Sequence, residues 1–101
     1  MHGEGSAQSS LSLSFGKRVL YVGGFSDTVS DYELRDLLTS YGLVARAYVV
    51  RFKHTGKSAG YGFVEMGSGV QALNAVAALE GTIWDGHLLR LYVTPYPNQV
   101  V

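Results

Sequence analysis

Ala59-Gly60-Tyr61-Gly62-Phe63-Val64-Glu65-Met66 alternates glycine with an aromatic residue and then turns β-branched. With a side-chain period of two, Tyr61 and Phe63 share one face of a strand and Gly60 and Gly62 share the other. Two glycines weaken a strand, so their presence implies close approach of another element on the side opposite the rings. A second stretch, Leu20-Tyr21-Val22-Gly23-Gly24-Phe25, turns Tyr21 outward, because Leu20 and Val22 fall on the face that must find a core. Three rings on one exposed sheet face mark a surface for something flat or apolar.

The elements around these stretches follow from caps and periodicity. Arg18 to Gly24 reads as a first strand, closed by Gly23-Gly24. Ser30 as N-cap with Glu33 three residues on forms a capping box, with Val29 stapled onto Leu34. Leu34, Leu37, Leu38 and Tyr41 make one apolar stripe, and Gly42 is expected to end the helix as a left-handed cap. Val44 to Phe52 is a second strand, and a turn at His54-Thr55-Gly56-Lys57 leads into the Gly/aromatic strand. A second helix runs from Gly69 to Leu79 with Ala72, Ala75, Val76 and Leu79 inward, kept slim by Ala75, Ala77 and Ala78. Leu88 to Thr94 is a fourth strand, with His87 exposed at its opening, and Pro95 and Pro97 prevent its continuing. The order strand, helix, strand, strand, helix, strand predicts an α+β, ferredoxin-like βαββαβ sandwich, a four-stranded antiparallel sheet with two helices on one face. The other face is left open.

The two stretches resemble the paired signature motifs of the RNA recognition motif family, whose longer motif runs basic, Gly, aromatic, Gly or Ala, aromatic, aliphatic, any, aromatic. The resemblance covers residues 17 to 96, with 1 to 16 a Gly/Ser-rich flexible tail and 97 to 101 a short C-terminal one. It implies that the first and third strands are the central pair, that Tyr21 and Tyr61 stack successive bases, and that Phe63 inserts near the ribose between them. Strand parity adds Tyr48 and Tyr92 to the same face, with Arg90 two positions before Tyr92 aimed at a phosphate or a base edge. Lys53 and Lys57, beside the binding strand, are candidates for phosphate contact. Tyr96 is a further stacking candidate, and Leu11, Leu13 and Phe15, alternating with serines, have the pattern of an added edge strand or of a competitor lying across the sheet. The function implied is single-stranded RNA binding by stacking two to three bases, with single-stranded DNA as a second ligand. The alternative is a protein-interaction module on the same fold.

Departures from the family pattern temper the affinity expected. Ala59 stands where the longer motif has Arg or Lys; Lys57, of the same parity, is expected to compensate. Glu65 faces outward and repels phosphate. Met66 replaces a terminal aromatic on the core side. The formal charge is zero, from eight Lys plus Arg and eight Asp plus Glu, which weighs against a nucleic-acid partner. The charges are segregated: Leu43 to Phe63 holds Arg46, Arg51, Lys53 and Lys57 with no acid, while Gly24 to Tyr41 holds Asp27, Asp31, Glu33 and Asp36 against Arg35 alone.

Other chemistries find little support. At 101 residues the chain fits one domain, expected to be monomeric. No cysteine is present, which excludes disulfides, thiolate nucleophiles and sulfur-based zinc sites. His2, His54 and His87 lack ligand spacing, so neither a metal nor another cofactor is expected. Thr55-Gly56-Lys57-Ser58 ends like a phosphate-binding loop, but Arg51 stands where that motif needs glycine and a strand follows instead of a helix. Acylphosphatases share the topology, yet their phosphate-cradling loop is missing, and no Ser/His/Asp grouping supports catalysis. No apolar run approaches the length of a membrane span, and Met1-His2-Gly3-Glu4 does not begin a secretory signal. The single small domain is similar to one-domain bacterial members of the family, implying a cytoplasmic protein, or a nuclear one in a eukaryote.

Overall fold

The computed structural model describes residues 17–94. β1 (Val19–Gly23), α1 (Asp31–Thr39), β2 (Val44–Arg51), β3 (Ser58–Met66), α2 (Gly69–Leu79), β4 (Ile83–Trp84), β5 (His87–Leu88) and β6 (Arg90–Thr94) follow in that order. Four strands form one sheet in the order β2-β3-β1-β6, antiparallel at every pairing. The ferredoxin-like arrangement and the central β1/β3 pair are as the sequence predicts.

The alternation in β1 builds the two layers. Leu20 and Val22 are fully buried and join Leu34 and Leu38 of α1, Ala72, Ala75 and Leu79 of α2, Val64, Met66, Leu89 and Leu91 in one core. Burying each such Leu or Val contributes about 1.5–3 kcal/mol, so this layer holds the fold together. Ser30 accepts from the Glu33 N–H while Glu33 accepts from the Ser30 N–H, the capping box in full. Ser68 caps α2 by accepting from the Gln71 N–H, without the reciprocal bond.

Four expectations change. The C-cap of α1 is Ser40, in right-handed conformation, and Gly42 lies two residues beyond with φ +150; the chain leaves the helix through a Tyr41 N–H to Leu38 bond, so Gly42 is not the cap. Ala77 and Ala78 face solvent, and the close packing of α2 falls to Ala72 and Ala75. The fourth strand of the sheet starts at Arg90, because Leu88 and His87 pair instead with Ile83 and Trp84 in a separate hairpin. Its two-residue turn, Asp85-Gly86, has φ of 53 and 80, the pair of positive values that a type I′ hairpin requires. Finally, only Gly62 of the strand glycines faces a close neighbour on the helix side. A Cβ there would lie 2.3 Å from the Tyr48 carbonyl oxygen and 2.9 Å from Leu34 Cδ2, whereas Gly60 is required for its φ of +81. The Gly60 carbonyl accepts from the N–H groups of both Gly24 and Phe25, tying the loop after β1 to β3.

Candidate nucleic-acid interface

The register sets the aromatic cluster. Tyr21 of β1 pairs with Phe63 of β3 on one side and Tyr92 of β6 on the other, and Tyr48 of β2 pairs with Phe63. Tyr21, Tyr48, Tyr61, Phe63 and Tyr92 therefore meet on the face away from the helices. Phe63 is the hub, with ring centroids 6.0 Å from Tyr21, 6.0 Å from Tyr61 and 5.9 Å from Tyr48. Tyr21 lies between two other tyrosines, 4.6 Å from Tyr92 at 14° and 5.5 Å from Tyr61 at 30°. Burial raises the Tyr21 phenol above its ordinary pKa, helped by the neighbouring phenols of Tyr92 and Tyr61. Tyr21, Tyr48, Tyr61 and Phe63 are half-buried, and Tyr92 is 54% exposed. Sequence parity had no means of showing the three-tyrosine row, which depends on how each ring leans.

The cations are less concentrated than the rings. Lys53 and Lys57 sit exposed in the β2–β3 connection, where the Phe52 N–H donates to the Lys57 carbonyl and Arg51 Nη1 donates to the Gly56 carbonyl. The register shift between Val49 and Arg51, together with Gly60, interrupts the alternation between Lys57 and Tyr61. Parity thus gives no support to Lys57 as a substitute for the missing base at Ala59. Glu65 is paired with Arg18 at 3.3 Å and stands across from Arg46, so its expected repulsion of phosphate is offset locally. The placement of Arg18 and Arg46 beside Glu65 is not readable from the sequence, which has no cross-strand register to show it. Val19 is also on this face and only 4% exposed, a buried apolar residue separate from the helix-side core.

Arg90 is held at the sheet edge. Its Nε donates to Glu80 Oε2 at 2.8 Å, while Glu80 Oε1 accepts the outward N–H of Leu91, closing part of an otherwise open edge strand. The Leu91 hydrogen bond, then Arg90, hold the Glu80 carboxyl below the usual carboxylate range against the opposing effect of desolvation. A carboxyl depressed in the folded state stabilises above its unfolded pKa, and that contribution disappears as pH falls through the folded value. The melting-temperature gap between the natural chain and Glu80→Gln is expected to narrow on acidification. Equal gaps at about pH 7 and about pH 3 would refute the assignment.

Among the described residues no group of His, Cys, Asp and Glu is arranged to hold a metal ion, and no helix is long and apolar enough to cross a membrane. Tyr96, Leu11, Leu13 and Phe15 lie outside the described residues.

Comparison with known proteins converges on one family. The model for the RNA recognition motif matches residues 20–90. RbpB of Nostoc sp., named as an RNA-binding protein, is 38% identical over 72 residues, spanning 71% of this chain and 70% of that protein. The crystal structure of RNA Binding Protein PG1 aligns with a TM-score of 0.74 at 34% identity, over 76% of this chain and 93% of that one. The Sxl-lethal protein/RNA complex aligns equally well, TM-score 0.74 at 28% identity, over 80% of this chain and 50% of that one.

Proposed function

The chain belongs to the RNA recognition motif family, and from that premise we propose that it binds single-stranded RNA by stacking two to three bases on Tyr21, Tyr61 and Phe63. The observation that carries this reading is the meeting of these rings, within 5.5 to 6.0 Å of one another, on a sheet face that the helices leave uncovered. A packed ring cluster is preorganised for flat ligands, and base stacking on aromatic rings is indifferent to base identity. Tyr48 and Tyr92 widen the platform at either side. Lys53 and Lys57 contact phosphate from the β2–β3 connection. Arg90 reaches the ligand from the opposite edge only by loosening its pair with Glu80. Single-stranded DNA, which offers the same bases for stacking, is a second ligand. The protein acts in the cytoplasm, on RNA after transcription, as a binding module and not as a catalyst.

Fluorescence anisotropy of a labelled random single-stranded RNA pool against the full chain tests the reading. Saturable binding is expected, and a folded protein that leaves the pool free sinks it. The three cations proposed to reach the ligand, Lys53, Lys57 and Arg90, set the salt dependence. For single strands the slope of log K against log salt is about −0.7 per phosphate neutralised, so roughly two to three contacts give about −1.4 to −2.1. A slope steeper than about −4 would mean a more extensive basic surface than Lys53, Lys57 and Arg90 provide.

A further inference from the structure

Gly23 follows Tyr21 by two residues on the same face and lies between Tyr61 of β3 and Arg90 of β6 in the register. The phenol of Tyr21 occupies the space above it. A Cβ at position 23 would stand 2.2 Å from the Tyr21 hydroxyl oxygen, 2.6 Å from Cζ and 2.8 Å from Cε1. Tyr21 therefore leans along its own strand into the place of the missing side chain. This lean explains a contact that register alone does not. The direct cross-strand neighbours of Tyr21 are Phe63 and Tyr92, while Tyr61 faces Gly23. Tyr21 and Tyr61 are a diagonal pair, whose positions on the sheet are ordinarily about 7–8 Å apart, so their rings meet by leaning toward each other; the ring centroids are 5.5 Å apart.

We propose that Gly23 is a positioning residue of the interface: its missing side chain sets the lean of Tyr21 and so the spacing of the Tyr61, Tyr21, Tyr92 row that bases meet. The binding consequence rests on the RNA-binding reading above; the ring geometry does not. The backbone at Gly23 lies outside the left-handed region, so alanine meets no conformational barrier there. The collision is with the free end of a side chain, which swings away more readily than a strand moves. Gly23→Ala thus displaces the ring of Tyr21 and spares the sheet.

The test combines NMR of the full chain with the anisotropy titration on the random RNA pool. In Gly23→Ala the cross-peaks between the rings of Tyr21 and Tyr61 are expected to vanish, with affinity down about tenfold and melting lowered by no more than about 8 °C. In a Tyr21→Ala background, where a Cβ at 23 has room, adding Gly23→Ala is expected to change affinity less than about twofold, because residues acting through one shared contact are not additive. Unchanged ring contacts, lost contacts with undiminished binding, or the same tenfold loss without Tyr21 would each overturn the proposal. Should Gly23→Ala fail to fold, a folded Tyr21→Ala/Gly23→Ala chain still supports the proposal and an unfolded one overturns it. If the natural chain leaves the pool free, the RNA-binding reading fails, and the ring cross-peaks alone decide the role of Gly23.

Discussion

Replacing Tyr61 and Phe63 together by alanine is expected to remove saturable RNA binding, with affinity lowered at least about a hundredfold. Each base stacked on an aromatic ring contributes about 1–3 kcal/mol, so losing two platforms costs about 2–6 kcal/mol, roughly thirtyfold to more than ten-thousandfold. The upper part of that range is favoured by position. Phe63 is in contact with Tyr21, Tyr48 and Tyr61, so its removal loosens three other rings as well as its own surface. The fold is expected to survive, because both rings lie off the helix-side core and aromatic pairs contribute only about 0.5–1.5 kcal/mol each beyond burial. Tyr32, 72% exposed on α1 in the layer away from the cluster, supplies the control: Tyr32→Ala should leave both binding and melting unchanged. If the double variant binds within threefold of the natural chain while Tyr32→Ala does not, the ligand sits on the helical face. The protein-interaction reading would then become the stronger one.

The legible part of this protein is the part governed by strict periods. Leu20 and Val22 inward with Tyr21 outward, the Ser30/Glu33 box, and the span of α2 all follow from local rules that tertiary packing reinforces. Even the cluster could be read, since alternation fixes a face once the strand order is known. What escaped lies where a local signal was present but a longer pattern masked it, or where no local signal exists. Asp85-Gly86 is a strong two-residue hairpin signal, overlooked because the apolar run from Leu88 invited a single long strand. Glycines are ambiguous by nature: Gly60 serves conformation, Gly62 serves space on the core side and Gly23 serves space on the open side, and sequence shows the same letter for all three. The lean of Tyr21 and the tethering of Arg90 by Glu80 depend on cross-strand neighbours and have no signature within one segment.

Gly62→Ala separates two of these roles from stability measurements alone and is expected to be the most damaging glycine substitution in the sheet. Overpacking of this kind typically costs about 1–3 kcal/mol, and the surroundings place Gly62 at the top of that range. The nearest atom, the Tyr48 carbonyl oxygen, belongs to the backbone of the adjoining strand, which pairs with β3 at Val49↔Gly62 and cannot retreat without straining that ladder. The next, Leu34 Cδ2, is fully buried in the core. At about 3 kcal/mol, a domain of this size loses roughly 12–24 °C in melting temperature. Gly23→Ala, whose added methyl meets only the phenol end of Tyr21, should lose far less, although both glycines are buried in neighbouring strands. A Gly62→Ala chain melting within about 4 °C of the natural one would show that β2 shifts freely against β3. The consequence would reach the interface, since β2 carries Tyr48 and β3 carries both Tyr61 and Phe63. Freedom between those strands would make the ring cluster adjustable, and the tight stacking that supports RNA binding would then have to form with the ligand instead of before it.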